Sequence, residues 1–297
     1  MRYNSFVEHI IFYELICNDK KNEKIIKIIK DEIKEYLLNN SDLNLANIFF
    51  YSGNLLSNYG KISEAFNAYD EAEVLYKSKQ NHRGIAQVLC SRGDLLSRTG
   101  ELEKAIEVYD EAEKLFKSEQ TNLGLAHVRC SRGDLLRRTG ELEKAHEAYD
   151  EAEQLYKSEQ DNLGLAHVLS SRGDLLSRTG ELEKALKAYD EAEKLCRQEK
   201  YNLGLANVIA GKGNLKSIQE DWNGAEEEYE KALPLYIKEQ ETMGASYTLA
   251  GLQLCKKILG DDDGRKKCLE ELEKLLPKQP ERVKEDITEL IELADSI

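Results

Sequence analysis

Plotted at 100° per residue, the segment 122–139 gathers Ala126, Val128, Gly133, Leu135 and Leu136 on one broad apolar arc. What remains is a narrow polar strip of His127, Cys130, Asp134, Arg137 and Arg138. Arg129 falls on the apolar arc, at a place held by Leu89 and Leu169 in the segments before and after. The segment 102–119 carries an apolar arc nearly half its circumference wide, from Leu102, Ala105, Ile106, Val108, Tyr109, Ala112, Leu115 and Phe116. The pattern predicts a helix over about 82–99 that stops at a left-handed Gly100, and a second over about 102–119. Glu101 and Glu103 near the start of the second, and Lys114 and Lys117 near its end, suit the helix dipole. Asn81, Asn122, Asn162 and Asn202 read as N-caps. Arcs this wide bury against two neighbours, as stacked helical hairpins do.

The pairing of helices repeats. GDLLSRTGELEKA occurs at 93–105 and again at 173–185, with GDLLRRTGELEKA at 133–145, a period of 40. Five clear repeats follow, at 42–81, 82–121, 122–161, 162–201 and 202–241. Residues 1–41 read as a worn hairpin with helices at about 3–17 and 22–39, and 242–278 as a worn sixth repeat. Pro277 and Pro280 then break the chain before a capping helix in 279–297. The expected fold is all-α: one α-solenoid of stacked antiparallel helical hairpins, coiled as a right-handed superhelix and closed by the C-terminal helix.

Composition narrows the function. The 297 residues carry a formal charge of −14, from 42 basic and 56 acidic side chains, and residues 1–40 sum to zero. So negative a remainder repels phosphate backbones, and nucleic acid is not an expected partner. No stretch of 18 apolar residues exists, and Glu8, His9 and Glu14 interrupt the N-terminal apolar run, so neither a membrane span nor an export signal is expected. The six cysteines are scattered without a C-x-x-C, which reads as reduced thiols in a cytoplasmic protein.

Chemistry-bearing motifs dissolve in the repeat. Arg-Gly-Asp occurs at 92–94, 132–134 and 172–174, each time in mid-helix, where it cannot act as an adhesion loop. His127 and His167 share one repeat position, as do Cys90 and Cys130. Equivalent points on stacked first helices are two helix diameters apart, roughly 18–20 Å, too far to share an ion, so no metal or other cofactor is expected. Pairs such as Asp110–Glu111 recur like a solvated face, and near-identical copies argue against one catalytic centre. Trp222 reads as filler for a hairpin corner.

Counted from Ala86 as position 1, small residues stand at 8 (Gly93), 20 (Ala105) and 27 (Ala112), with an aromatic at 24 (Tyr109). The pattern resembles the tetratricopeptide repeat, lengthened to 40 residues as in kinesin light chains and Pins-type adaptors. The resemblance implies a non-enzymatic scaffold or adaptor whose concave groove, lined by positions 2, 5, 9, 12 and 13 of each first helix, holds a partner protein or peptide. Onto this sequence those positions map as Asn54, Asp94, Asp134, Asp174 and Asn214 (position 9), Arg98, Arg138 and Arg178 (position 13), Arg137 (position 12), and His127 and His167 (position 2). In the second to fourth repeats that strip balances three acids against four arginines, which suits a partner with acidic side chains. Against this stands a reading in which Asp94–Arg98 and its copies are i,i+4 pairs that satisfy only each other. A peptide-sensing regulator and a self-associating structural repeat stay open as alternatives.

Position 7 departs from the family pattern: an apolar residue is usual, and here it is Arg92, Arg132, Arg172 and Lys212. On the wheel it faces position 28 of the preceding repeat, which predicts inter-repeat pairs Glu73–Arg92, Glu113–Arg132, Glu153–Arg172 and Glu193–Lys212, with Leu233–Leu252 as an apolar counterpart and Ile33–Ser52 uncharged.

Overall fold

The computed structural model describes residues 23–296 apart from 40, 59, 240 and 280. The helix expected at 3–17, Cys17 and Pro280 lie outside the described residues. Fourteen α-helices and no strand occur among the described residues: α1 (Glu23–Asn39), α2 (Asp42–Asn58), α3 (Ile62–Ser78), α4 (His82–Thr99), α5 (Leu102–Ser118), α6 (Asn122–Thr139), α7 (Leu142–Ser158), α8 (Asn162–Arg178), α9 (Leu182–Gln198), α10 (Asn202–Ile218), α11 (Trp222–Lys238), α12 (Thr242–Leu259), α13 (Asp262–Leu275) and α14 (Glu281–Ser296). Contacts divide the chain into two units, Met1–Leu135 and Leu136–Ile297, with the division inside α6. In the first, each helix from α1 to α5 packs on the next. In the second, the same holds from α7 to α13, and α14 packs on α12 as the expected cap. Both units are stacks of antiparallel helical hairpins. No helix among the described residues is long and apolar enough to cross a membrane.

The hairpins close where the periodicity places them. Gly100 ends α4 at φ 89°, a left-handed conformation that costs glycine little. Where the register lacks glycine, Glu220 takes the same role at φ 60°. A left-handed non-glycine residue is strained by roughly 1–2 kcal/mol. Glu220→Gly should therefore raise the melting temperature by about 2–4 °C, and an unchanged or lower midpoint in a thermal melt would show that this turn stores no strain.

One expectation about caps is corrected. Asn81 does cap α4, its side chain accepting from the Gly84 N–H at 2.9 Å. Asn122, Asn162 and Asn202, however, are the first helical residues of α6, α8 and α10. The register equivalents of Asn81 are Thr121, Asp161 and Tyr201, and of these Asp161 accepts from the amides of Leu163 and Gly164. Asn162 and Asn202 instead donate to Glu199 and Glu239, each at 2.8 Å, tying neighbouring repeats together.

Within a hairpin, alanine and glycine let the helices approach and tyrosine fills what remains. Ala105 and Ala112 are fully buried on α5, and Tyr109 between them is 1% exposed. A β-carbon placed on Gly93 of α4 would sit 2.5 Å from the Tyr109 ring, so no larger residue fits there. Arg129, the misfit on the apolar arc of α6, turns its Nε to Glu113 at 3.4 Å. Trp222 packs half-buried against the cluster around Tyr229, Leu249 and Cys268, as expected of a corner filler.

The position-7 ladder is borne out. Arg92 meets Glu73 at 2.7 Å, Arg132 meets Glu113 at 3.3 Å, and Lys212 meets Glu193 at 2.5 Å. Arg172 pairs with Glu153 as well. Leu233 packs on the cluster that contains Leu252. Each cation also holds a second acid one helical turn earlier: Asp70, Asp110, Asp150 and Asp190 in turn. The recurring aspartates that looked like a solvated face are half of this ladder. Burial alone would raise the carboxyls of Glu73, Glu113 and Glu193, but hydrogen bonds and charge from their lysine and arginine neighbours outweigh it and hold all three below the ordinary value. A lowered folded pKa gives stability that is complete above the unfolded value, 4.5, and lost as pH falls through the folded one. Denaturation midpoints should hold steady from about pH 7 to pH 5 and drop below about pH 4, whereas a flat profile would remove the ladder from the stability of the fold.

Candidate functional site

The polar strip of the first helices carries side chains at position 9 that are Asn54, Asp94, Asp134, Asp174 and Asn214 in successive repeats. Position 9 is organised from behind. The Tyr69 hydroxyl donates to Asn54 at 2.8 Å and the Tyr109 hydroxyl to Asp94 at 2.7 Å in the first unit. In the second unit Tyr189 donates to Asp174 and Tyr229 to Asn214, both at 2.7 Å. Burial first, and the facing carboxylate second, push the phenols of Tyr109 and Tyr189 far above their ordinary value, so each remains a neutral donor to its aspartate.

The i,i+4 pairing of Asp94 with Arg98 does not form. Asp94 is taken by Tyr109, and Arg98 reaches back to the Ser57 hydroxyl of the preceding repeat at 3.1 Å. In the second unit Arg178 donates to the Arg137 carbonyl at 2.9 Å, and the Arg137 guanidinium lies 3.6 Å from Asp174. Arg98 and Arg178 are exposed, Arg137 and Arg138 partly so. Arg98, Arg178 and Arg137 thus reach across to neighbouring first helices. Asp134 on α6 is partly buried, and His127 and His167 are exposed.

Position 2 is held in the same way at two places, the hydroxyls of Tyr76 and Tyr236 donating to Asn47 and Asn207 at 2.6 and 2.8 Å. Residue 116 is phenylalanine and has no hydroxyl to offer. Beside it opens a cavity of about 300 Å³ in the first unit, lined by Phe50, Gln87, Cys90, Ser91, Phe116 and His127 among others.

Cys90 Sγ lies 3.1 Å from His127 Nδ1 at the edge of that cavity, and the ligand atoms of Cys90, Asp94 and His127 all fall within 4.8 Å of one another. Comparing equal positions on successive helices hid this set, which joins positions 5 and 9 of one repeat to position 2 of the next. Burial pushes the Cys90 thiol well above its ordinary pKa, which makes it a poor spontaneous nucleophile.

The tetratricopeptide repeat model matches residues 84–158 and 164–238, just over half of the chain. The chain belongs to the tetratricopeptide repeat family, whose fold is typical of protein-interaction scaffolds. No curated protein matches it in sequence. Among solved structures it is similar to a Rap protein complexed with Competence and Sporulation Factor, at TM-score 0.69 and 15% identity over 91% of this chain and 72% of that one. It is also similar to BtubC (BKLC) from P. vanneervenii, at TM-score 0.58 and 20% identity over 74% of this chain and 90% of that one. A kinesin light chain of Podospora anserina with nearly identical repeats matches at TM-score 0.51 and 9% identity, over 66% of this chain and 97% of that one. At such identities the likeness is one of fold.

Proposed function

We propose that this protein is a non-catalytic interaction module that holds a segment of another protein, rich in acidic side chains, against the first-helix strips of its 40-residue repeats. The observation that carries the reading is the tyrosine-held row of position-9 side chains. A carboxylate or amide fixed by one hydrogen bond keeps a second polar atom to offer a peptide backbone, and little side-chain entropy is left to lose on binding. In the first unit the strip comprises Asn54, Asp94, Asp134, Arg98 and His127. In the second it comprises Arg137, Arg138, His167, Asp174, Arg178 and Asn214. Arginine in this setting offers a planar donor fork to carboxylates. The net charge of −14 disfavours nucleic acid as the partner. The scattered cysteines, with no C-x-x-C among them, support a reducing compartment such as the cytoplasm.

The same strips would serve a peptide-sensing regulator, a reading supported by the fold shared with a Rap protein solved with Competence and Sporulation Factor bound. Affinity capture with mass spectrometry, run in parallel with the wild type and an Arg98→Ala/Arg178→Ala variant, tests the proposal. It stands if a protein enriched by the wild type is lost with the variant, and falls if every captured protein is retained. Light scattering of the purified chain decides the self-association alternative: a concentration-dependent mass would favour it.

A further inference from the structure

We propose that Cys90, Asp94 and His127 form a binding site for a divalent transition-metal ion of the zinc class. The three side chains supply one sulfur, one oxygen and one nitrogen, the donor types that such ions take together, while magnesium and calcium prefer oxygen alone. Cys90 and Asp94 lie one turn apart on one face of α4, and His127 comes to them from α6. With metal–sulfur and metal–nitrogen bonds of about 2.3 and 2.0 Å, tetrahedral coordination sets sulfur and nitrogen about 3.5 Å apart. The observed 3.1 Å needs only a small opening, and His127 is exposed and able to give it.

Asp94 is already oriented for the task, since the Tyr109 hydroxyl holds one carboxylate oxygen from behind at 2.7 Å. Outer hydrogen bonds of this kind are what fix ligating carboxylates elsewhere. The fourth position faces the cavity beside Phe116 and Gln87, where a water can complete the shell. On binding, the ion replaces the proton of the Cys90 thiol, which leaves to solvent. The set is local: position 5 is Phe50 in the first repeat and Ser170 in the fourth, which leaves those repeats without the thiolate. Only Cys130, Asp134 and His167 repeat the same three residue types 40 positions on.

Titration of the full-length, metal-stripped His167→Gln chain with Co²⁺ under reducing conditions tests the site free of that second sequence set. One equivalent should bind with a near-ultraviolet sulfur-to-cobalt charge-transfer band and the visible bands of tetrahedral cobalt. Adding His127→Gln should weaken binding at least about tenfold, and adding Cys90→Ala should abolish the charge-transfer band. Zn²⁺ should displace the cobalt and raise the melting temperature of the His167→Gln chain alone. No charge-transfer band in that chain, or a band unchanged by His127→Gln, overturns the proposal. Since His127 is exposed, its substitution leaves the fold intact, and it decides the matter even if Cys90→Ala unfolds.

Discussion

Tyr189→Ala should cost about 3–5 kcal/mol, the range for deleting a buried aromatic ring. The ring is 1% exposed and is wedged between α8 and α10: a β-carbon on Gly173 or on Gly211 would lie 2.6 or 2.7 Å from it. One side chain on α9 thus fills the space among three helices, and the stack cannot collapse around its loss without shifting two interfaces. Urea denaturation monitored by circular dichroism should show the midpoint fall accordingly. Tyr189→Phe keeps the ring and removes only the bond to Asp174, so it should cost about 1 kcal/mol. If the alanine variant melts like the wild type, the tyrosine row is not what joins the repeats.

The second large effect belongs to the ladder. Lys212 is 9% exposed and serves both Glu193 and Asp190. Lys212→Ala strands those carboxylates, a change that costs about 3–5 kcal/mol for a fully buried pair. Glu193 retains Arg197 at 2.6 Å and Asp190 is largely exposed, so about 2 kcal/mol is expected here. The double variant Glu193→Leu/Lys212→Leu reproduces the apolar Leu233–Leu252 junction of the next boundary and should recover most of that loss, because desolvating an ion pair offsets much of its attraction. The ladder then acts chiefly on register, keeping near-identical repeats from pairing out of step. A double variant as unstable as the single one would show that the charges themselves hold the junction.

These two features differ in how far the sequence reveals them. The ladder is legible because charge covaries along the chain itself: glutamate at position 28 is followed by a cation at position 7 of the next repeat, and both turn to leucine together at the last boundary. The helices follow from the 40-residue register for the same reason, with repeated apolar arcs and a left-handed Gly100. The strip is legible as a face but not as a network. Asp94 pairs with Arg98 on any helical wheel, yet Tyr109 wins it, since only the crossing of α4 and α5 brings the hydroxyl within 2.7 Å. The same limit hides Asp70 and its copies behind the cations of the ladder. Cys90 and His127 stay apart in a reading that compares like with like, because adjacent helices meet at offset positions, 5 against 2.

That the strips bind a partner is tested most directly by isothermal titration of a captured protein into the wild type, Arg138→Ala, Arg178→Ala and the double variant at low ionic strength. Each single change should weaken binding several-fold, the double change by roughly the product, and added salt should narrow the differences as screening grows. Undiminished affinity of the double variant at low salt would contradict the account, leaving the arginines as internal bridges between helices.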